Sequence, residues 1–149
     1  MGNFLQTLFT SRKTTVNKGD NCLMTKYVKS GLTQKEAMEI KQKIVVAFEE
    51  DKLFKDSTIG LNELSRHVEK DRYKVSQVLN EYLQQSFYSL LNHYRIQEAQ
   101  ELLLTNPLLS VKAVMYEVGF NSKTSFYSAF KKQTGLSPND YRNLVLFAS

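Results

Sequence analysis

Leu109-Ser-Val-Lys-Ala-Val-Met-Tyr-Glu-Val-Gly-Phe120 runs on into Asn121-Ser-Lys-Thr-Ser-Phe-Tyr-Ser-Ala-Phe130-Lys-Lys-Gln-Thr-Gly-Leu-Ser-Pro138-Asn-Asp-Tyr-Arg142. Ser110 stands where an N-cap is wanted, and Val111, Val114 and Val118 recur at helical spacing behind it. Gly119 follows at the point where a helix must stop and turn with positive φ. Asn121 or Ser122 opens a second helix with Phe126 and Phe130 on its inner face, and Gly135 ends it. Ser137-Pro138 starts a last helix to about Leu146, with proline at the first helical position, where its missing N–H costs nothing.

The same grammar occurs once more, 50 residues earlier. Gly60, Leu61, Leu64 and Val68 correspond to Ser110, Val111, Val114 and Val118. Val75, Leu79 and Phe87 correspond to Phe126, Phe130 and Pro138, now at an offset of 51, so one residue is inserted in the second turn. Asp71 caps the second helix of this earlier copy, with Val75, Val78, Leu79 and Tyr82 inward. Each copy is a short helix, a tight turn and a second helix, which is the helix-turn-helix pattern. Between the copies a helix from about Tyr88 to Leu103 predicts a rigid spacer about 24 Å long at 1.5 Å per residue. One turn of B-DNA is about 34 Å, so two such units could enter successive major grooves as a monomer. Upstream, Thr33 and Glu36 have capping-box spacing, and Ala37, Ile40, Ile44, Val45 and Phe48 give an apolar face to a helix ending near Asp51 or Lys52. No stretch keeps a strand period. The expected fold is all-α: two helix-turn-helix subdomains (about 60–85 and 110–134), a linker helix (about 88–104), a last helix (137–146) and an additional N-terminal helix. Periodicity alone fits a generic bundle or protein-interaction module equally well.

The 109–142 stretch resembles the signature of the AraC/XylS family of bacterial transcription regulators. The matches are Gly119-Phe120, Ser122, Phe126, Ala129-Phe130-Lys131, Gly135, Ser137-Pro138 and Tyr141-Arg142. The stretch from Tyr94 to Leu103 is similar to the family's linker helix, and the resemblance spans roughly residues 55–145. It implies a DNA-binding domain over 31–149, with double-stranded DNA and RNA polymerase as partners in a bacterial cytoplasm. The first copy departs from the family at Ser65 (usually Ala), Glu69 (usually Gly) and Gln84 (usually Gly), so a strained or altered turn is expected at Glu69.

Position within the motif then singles out polar side chains. The resemblance places base-edge contacts at Tyr73, Ser76 and Gln77 in the first copy, and at Lys123, Thr124, Tyr127 and Ser128 in the second. Gln and Asn pair bidentately with adenine, and Tyr can meet a thymine methyl group. The family often has Arg at Gln77, so guanine is disfavoured there. Arg72, Asn80, Lys131 and Lys132 flank these faces as phosphate contacts, and Asn121 and Ser122 suit a phosphate at a helix N-terminus. Without the motif, each of these residues reads as part of a solvated face. Phe120, Phe126, Phe130 and Tyr141 read as core, Arg95 and Arg142 as buried-edge hydrogen-bonders, and His67 and His93 as isolated.

Charge and composition narrow the function classes. The net charge of +5 lies mostly in residues 1–30, where five basic side chains face Asp20. Residues 57–149 hold ten basic and eight acidic groups, only +2. Residues 1–30 read as a basic tail or linker, with Phe4, Leu5, Leu8 and Phe9 as a short apolar stripe. Cys22 is the single cysteine, which excludes an internal disulfide and a cysteine zinc site. No apolar run is longer than the five residues of Ile44 to Phe48, far below the ~20 of a membrane span. There is no glycine-rich phosphate loop, no metal-spaced histidine pair and no convergent carboxylate pair, so neither a cofactor nor enzymatic activity is expected. The alternative expectations are a helical protein-interaction module that binds an acidic partner and, third, the cytoplasmic effector end of a larger sensor-regulator, membrane-anchored or not.

Overall fold

The computed structural model describes residues 31–148, and the expectations for residues 1–30 lie outside them. Every regular element among the described residues is helical. In order they are α1 (Gln34–Glu49), a 3-10 turn (Leu53–Lys55), α2 (Leu61–His67), α3 (Arg72–Gln77), a π-turn that prolongs α3 (Val78–Tyr82), α4 (Phe87–Thr105), α5 (Val111–Glu117), α6 (Lys123–Thr134) and α7 (Pro138–Ala148). The chain divides into two compact units, residues 31–51 with 60–87 and residues 52–59 with 88–148.

Helix starts follow the caps expected from sequence. Asp71 accepts from the backbone N–H groups of Tyr73 (2.9 Å) and Lys74 (3.3 Å). Ser110 Oγ takes the N–H of Ala113 at 3.0 Å, and Ser122 Oγ that of Ser125 at 3.4 Å. At Thr33 only half of the expected capping box forms. Thr33 Oγ1 accepts from Glu36 N–H at 3.2 Å, but the Glu36 carboxylate is held by Lys74 Nζ at 2.9 and 3.0 Å. An ammonium ion is the stronger partner for a carboxylate than a neutral amide.

In the first unit, Ala37, Ile40, Ile44, Ala47 and Phe48 of α1 are buried, as are Leu64, Val68, Val75, Val78 and Leu79. Tyr82, expected inward, is only half-buried. His67 is not isolated, since its Nε2 lies 2.9 Å from Asp51 Oδ2. In the second unit Ile96, Ala99 and Leu103 of α4 form one core with Val114, Met115, Val118, Phe120, Phe126 and Phe130.

The turns of the two copies are bonded identically. Val68, Glu69 and Lys70 N–H reach the carbonyls of Leu64, Arg66 and Ser65, and Val118, Gly119 and Phe120 reach Val114, Tyr116 and Met115. The inserted residue is Asn121, between Phe120 and the cap Ser122. Glu69 therefore does not turn differently: it adopts φ 55°, where the second copy has Gly119 at φ 99°. Gln84 repeats this, at φ 51° against 79° for Gly135. A side chain in the left-handed region costs about 1–2 kcal/mol. Glu69→Gly is accordingly expected to stabilise the chain by about 1 kcal/mol, after the added entropy of the unfolded chain is subtracted. Urea unfolding followed by far-UV circular dichroism checks this, and an unchanged or lower midpoint contradicts it. Ser65, where the family has Ala, loses nothing by burial because its hydroxyl donates to Leu61 O at 2.7 Å.

Loop 52–59 is seated on α4. Arg95 is 7% exposed and donates from Nε to Phe54 O (2.7 Å) and from Nη2 to Asp56 O (2.9 Å). Its guanidinium lies over the Phe120 ring at 5.3 Å. Arg142 Nε donates to Leu103 O at 3.3 Å. Beside Arg95, Glu98 meets Lys52 (2.8 Å) and Lys55 (2.9 Å). Partial burial pushes the Glu98 carboxyl up, but these two hydrogen bonds outweigh it and hold the group below its ordinary value. A carboxyl depressed on folding adds stability above its ordinary value of 4.5 and loses it as pH falls through the lower folded value. Glu98→Gln is expected to flatten the fall of stability below about pH 4.5, checked by urea titrations at stepped pH; an unchanged acid limb would count against the pairing.

Candidate nucleic-acid interface

The two helices that the repeat marks as readers, α3 and α6, differ in how their polar faces are held. On α3, Arg72 and Tyr73 are exposed, Tyr73 by 62%. Ser76, Gln77 and Asn80 are half-buried and engaged within the helix. Gln77 Nε2 donates to Glu81 Oε2 at 2.9 Å. Asn80 Nδ2 donates to Ser76 O at 2.9 Å and approaches Ser76 Oγ at 3.3 Å. These are i,i+4 pairs, one turn apart on one face. Leu83 N–H reaches back five residues to Val78 O, so the π-turn widens the helix where Asn80 and Glu81 sit.

On α6 and in the two residues before it, Asn121, Ser122, Lys123, Thr124, Ser128, Lys131 and Lys132 are exposed, and Tyr127 is half-buried. Lys123 Nζ lies 5.2 Å above the Tyr127 ring, a cation–π contact that holds the ammonium near the helix start. Tyr127 Oη accepts from Asn139 Nδ2 of α7 at 3.3 Å. Phe126, fully buried one residue before Tyr127, fixes the helix from behind. The helix carries Lys123, Lys131 and Lys132 and no acidic residue. Its face is the more cationic of the two, since α3 sets Arg72 and a Glu36-paired Lys74 against Glu81.

Beside each of these two helices lies a cleft that sequence reading missed. In the second unit it has about 380 Å³ and is lined by Lys112, Met115 and Tyr116 of α5 with Asn121, Lys123 and Tyr127. In the first it has about 440 Å³ and includes Asn62, Ser65 and Arg66, the repeat equivalents of Lys112, Met115 and Tyr116. Positions 112, 115 and 116 share one helix face, which is the signal for it in the sequence. No group of three or more His, Cys, Asp or Glu that could hold a metal is found among the described residues. None of their helices is long and apolar enough to cross a membrane.

A family model described as a helix-turn-helix domain matches residues 64–144, more than half of the chain. This chain belongs to the AraC-type helix-turn-helix family. Family and fold are those of DNA-binding transcription regulators. The chain is 44% identical over 55 residues to the HTH-type transcriptional regulator MtrA of Neisseria gonorrhoeae, a match covering 37% of this chain and 18% of that protein. It is 27% identical over 89 residues to the melibiose operon regulatory protein of Escherichia coli K12, covering 60% of this chain and 29% of that protein. The matched stretch is thus less than a third of the length of either AraC-type relative. Among solved structures, the C-terminal domain of AraT, a response regulator from Geobacillus stearothermophilus, is similar with a TM-score of 0.60 and 30% identity, covering 72% of this chain and 84% of that one.

Proposed function

We propose that this chain is a sequence-specific, double-stranded-DNA-binding transcription regulator, with α3 and α6 each reading a major groove. The observation that carries the reading is the duplicated turn: two helix pairs whose turns share the same backbone bonding, both turns within the stretch matched as AraC-type. In this reading Tyr73, Ser76, Gln77, Lys123, Thr124, Tyr127 and Ser128 meet base edges, and Arg72, Asn80, Asn121, Ser122, Lys131 and Lys132 meet phosphates. One copy of the chain serves both grooves, RNA polymerase is the partner in transcription, and the protein works in the cytoplasm without a cofactor or catalysis of its own.

Selection of bound sequences from a random duplex pool tests the proposal; a pool that never converges rejects it. On the selected site, Gln77→Ala and Thr124→Ala are expected to weaken specific binding and leave non-specific binding nearly intact. Equal losses on both DNAs in gel shifts would remove the base-reading role. Lys131→Ala is expected to weaken binding to any sequence and flatten the salt slope by about one. An unchanged slope would place Lys131 away from phosphate.

A further inference from the structure

We propose that Glu81 orients the Gln77 amide and so decides which base the first unit reads, favouring adenine or cytosine over guanine. This rests on the reading of α3 as a recognition helix with Gln77 at a base edge. A glutamine amide has a donor end and an acceptor end, and its terminal torsion is soft, so by itself it can present either. Here Nε2 donates to Glu81 Oε2 at 2.9 Å. An ionised carboxylate accepts and never donates, so only the NH2 end can face it. The carbonyl end is therefore held on the opposite side, as an acceptor for an incoming base. In the major groove adenine offers its N6 amino group and cytosine its N4 amino group, while guanine offers only the acceptors O6 and N7.

The device belongs to the first unit alone. The repeat equivalents of Gln77 and Glu81 on α6 are Ser128 and Lys132, which cannot form this pair. Glu81 also sets a negative charge beside a helix meant for a polyanion. Coulomb attraction to phosphate is weakened there whatever the sequence, so discrimination at Gln77 gains weight relative to non-specific binding. Glu81 acts through Gln77 and is a positioning residue.

The test is selection from a random duplex pool with the full chain and with Glu81→Lys, Glu81→Met, Gln77→Ala and the double variant Gln77→Ala/Glu81→Lys. In Glu81→Lys the ammonium donates to the amide carbonyl and turns the NH2 end outward. At one position of the site the preference is then expected to move from adenine or cytosine to guanine or thymine, a change of roughly tenfold in base ratio, with other positions unaltered. Glu81→Met is expected to relax that position without reversing it. Gln77→Ala is expected to erase the preference, and adding Glu81→Lys to it then changes nothing further at that position. If Gln77→Ala leaves every base preference intact, the reading of α3 fails and the proposal with it. If Gln77→Ala erases the preference but Glu81→Lys keeps the original base, α3 stands as the reader and the role of Glu81 is overturned. A uniform gain in affinity for Glu81→Lys with unaltered preferences overturns it equally, since added charge alone explains that result.

Discussion

Gly119→Ala is expected to cost more than about 3 kcal/mol of stability, because strain and steric overlap add. Its φ of 99° lies where residues with a side chain are strained. A Cβ at this position would stand 2.6 Å from Phe54 O, 2.9 Å from Arg95 Nε and 3.0 Å from Lys55 O. Two of these atoms are backbone, and the third is the nitrogen that donates to Phe54 O. None can move away without breaking the seat of loop 52–59. Glu69 makes the same turn in the first unit and carries a full side chain at φ 55°. The paired variants Gly119→Ala and Glu69→Gly should therefore shift stability in opposite directions. Far-UV circular dichroism in urea measures both. A Gly119→Ala protein within about 1 kcal/mol of the parent would show that the loop yields to the added methyl group.

Phe126→Ala is expected to cost about 3–5 kcal/mol, the range for deleting a buried aromatic ring. Phe126 is fully buried and touches three rings, with centroids at 5.3 Å (Phe120), 5.9 Å (Tyr127) and 5.8 Å (Phe130). Edge-to-face and tilted pairs of this kind add to the area they bury. The functional consequence is specific. Tyr127 carries Lys123 on its ring, so loosening Phe126 frees two of the proposed base contacts on α6, Lys123 and Tyr127. Specific DNA binding should fall even at temperatures where the chain is still folded. Thermal melts paired with gel shifts below the melting range check this, and undiminished specific binding would show that Lys123 and Tyr127 do not depend on the core behind them.

What could be read in advance was what depends on neighbours in sequence. Asp71, Ser110 and Ser122 announced helix starts because a cap bonds within three residues. Gly119 and Gly135 announced helix ends because the chain there needs positive φ. The alternation of these signals revealed the repeat, and the repeat located α3 and α6. What could not be read depended on residues far apart. Glu36 finds Lys74 across 38 positions and His67 finds Asp51 across 16, so a capping box and an isolated histidine were each half the story. Glu69 was recognised as a departure, but only the backbone shows that it accepts the strain and keeps the turn. For the site itself, motif position named the polar residues without their partners. The i,i+4 spacing of Gln77 and Glu81 was visible, yet its meaning needed the amide to be seen turned toward the carboxylate.

The seating of loop 52–59 by Arg95 also bears on how this chain can be cut. The second unit is discontinuous: eight of its residues arrive from upstream of α2, ahead of everything the helix-turn-helix match covers. A fragment trimmed to begin at Leu61, or at the matched Leu64, would keep both helix pairs on paper. It would strip Arg95 of two carbonyls and Gly119 of the surface it was shaped to meet. The shortest piece worth expressing therefore starts before Lys52, whichever half of the molecule is wanted.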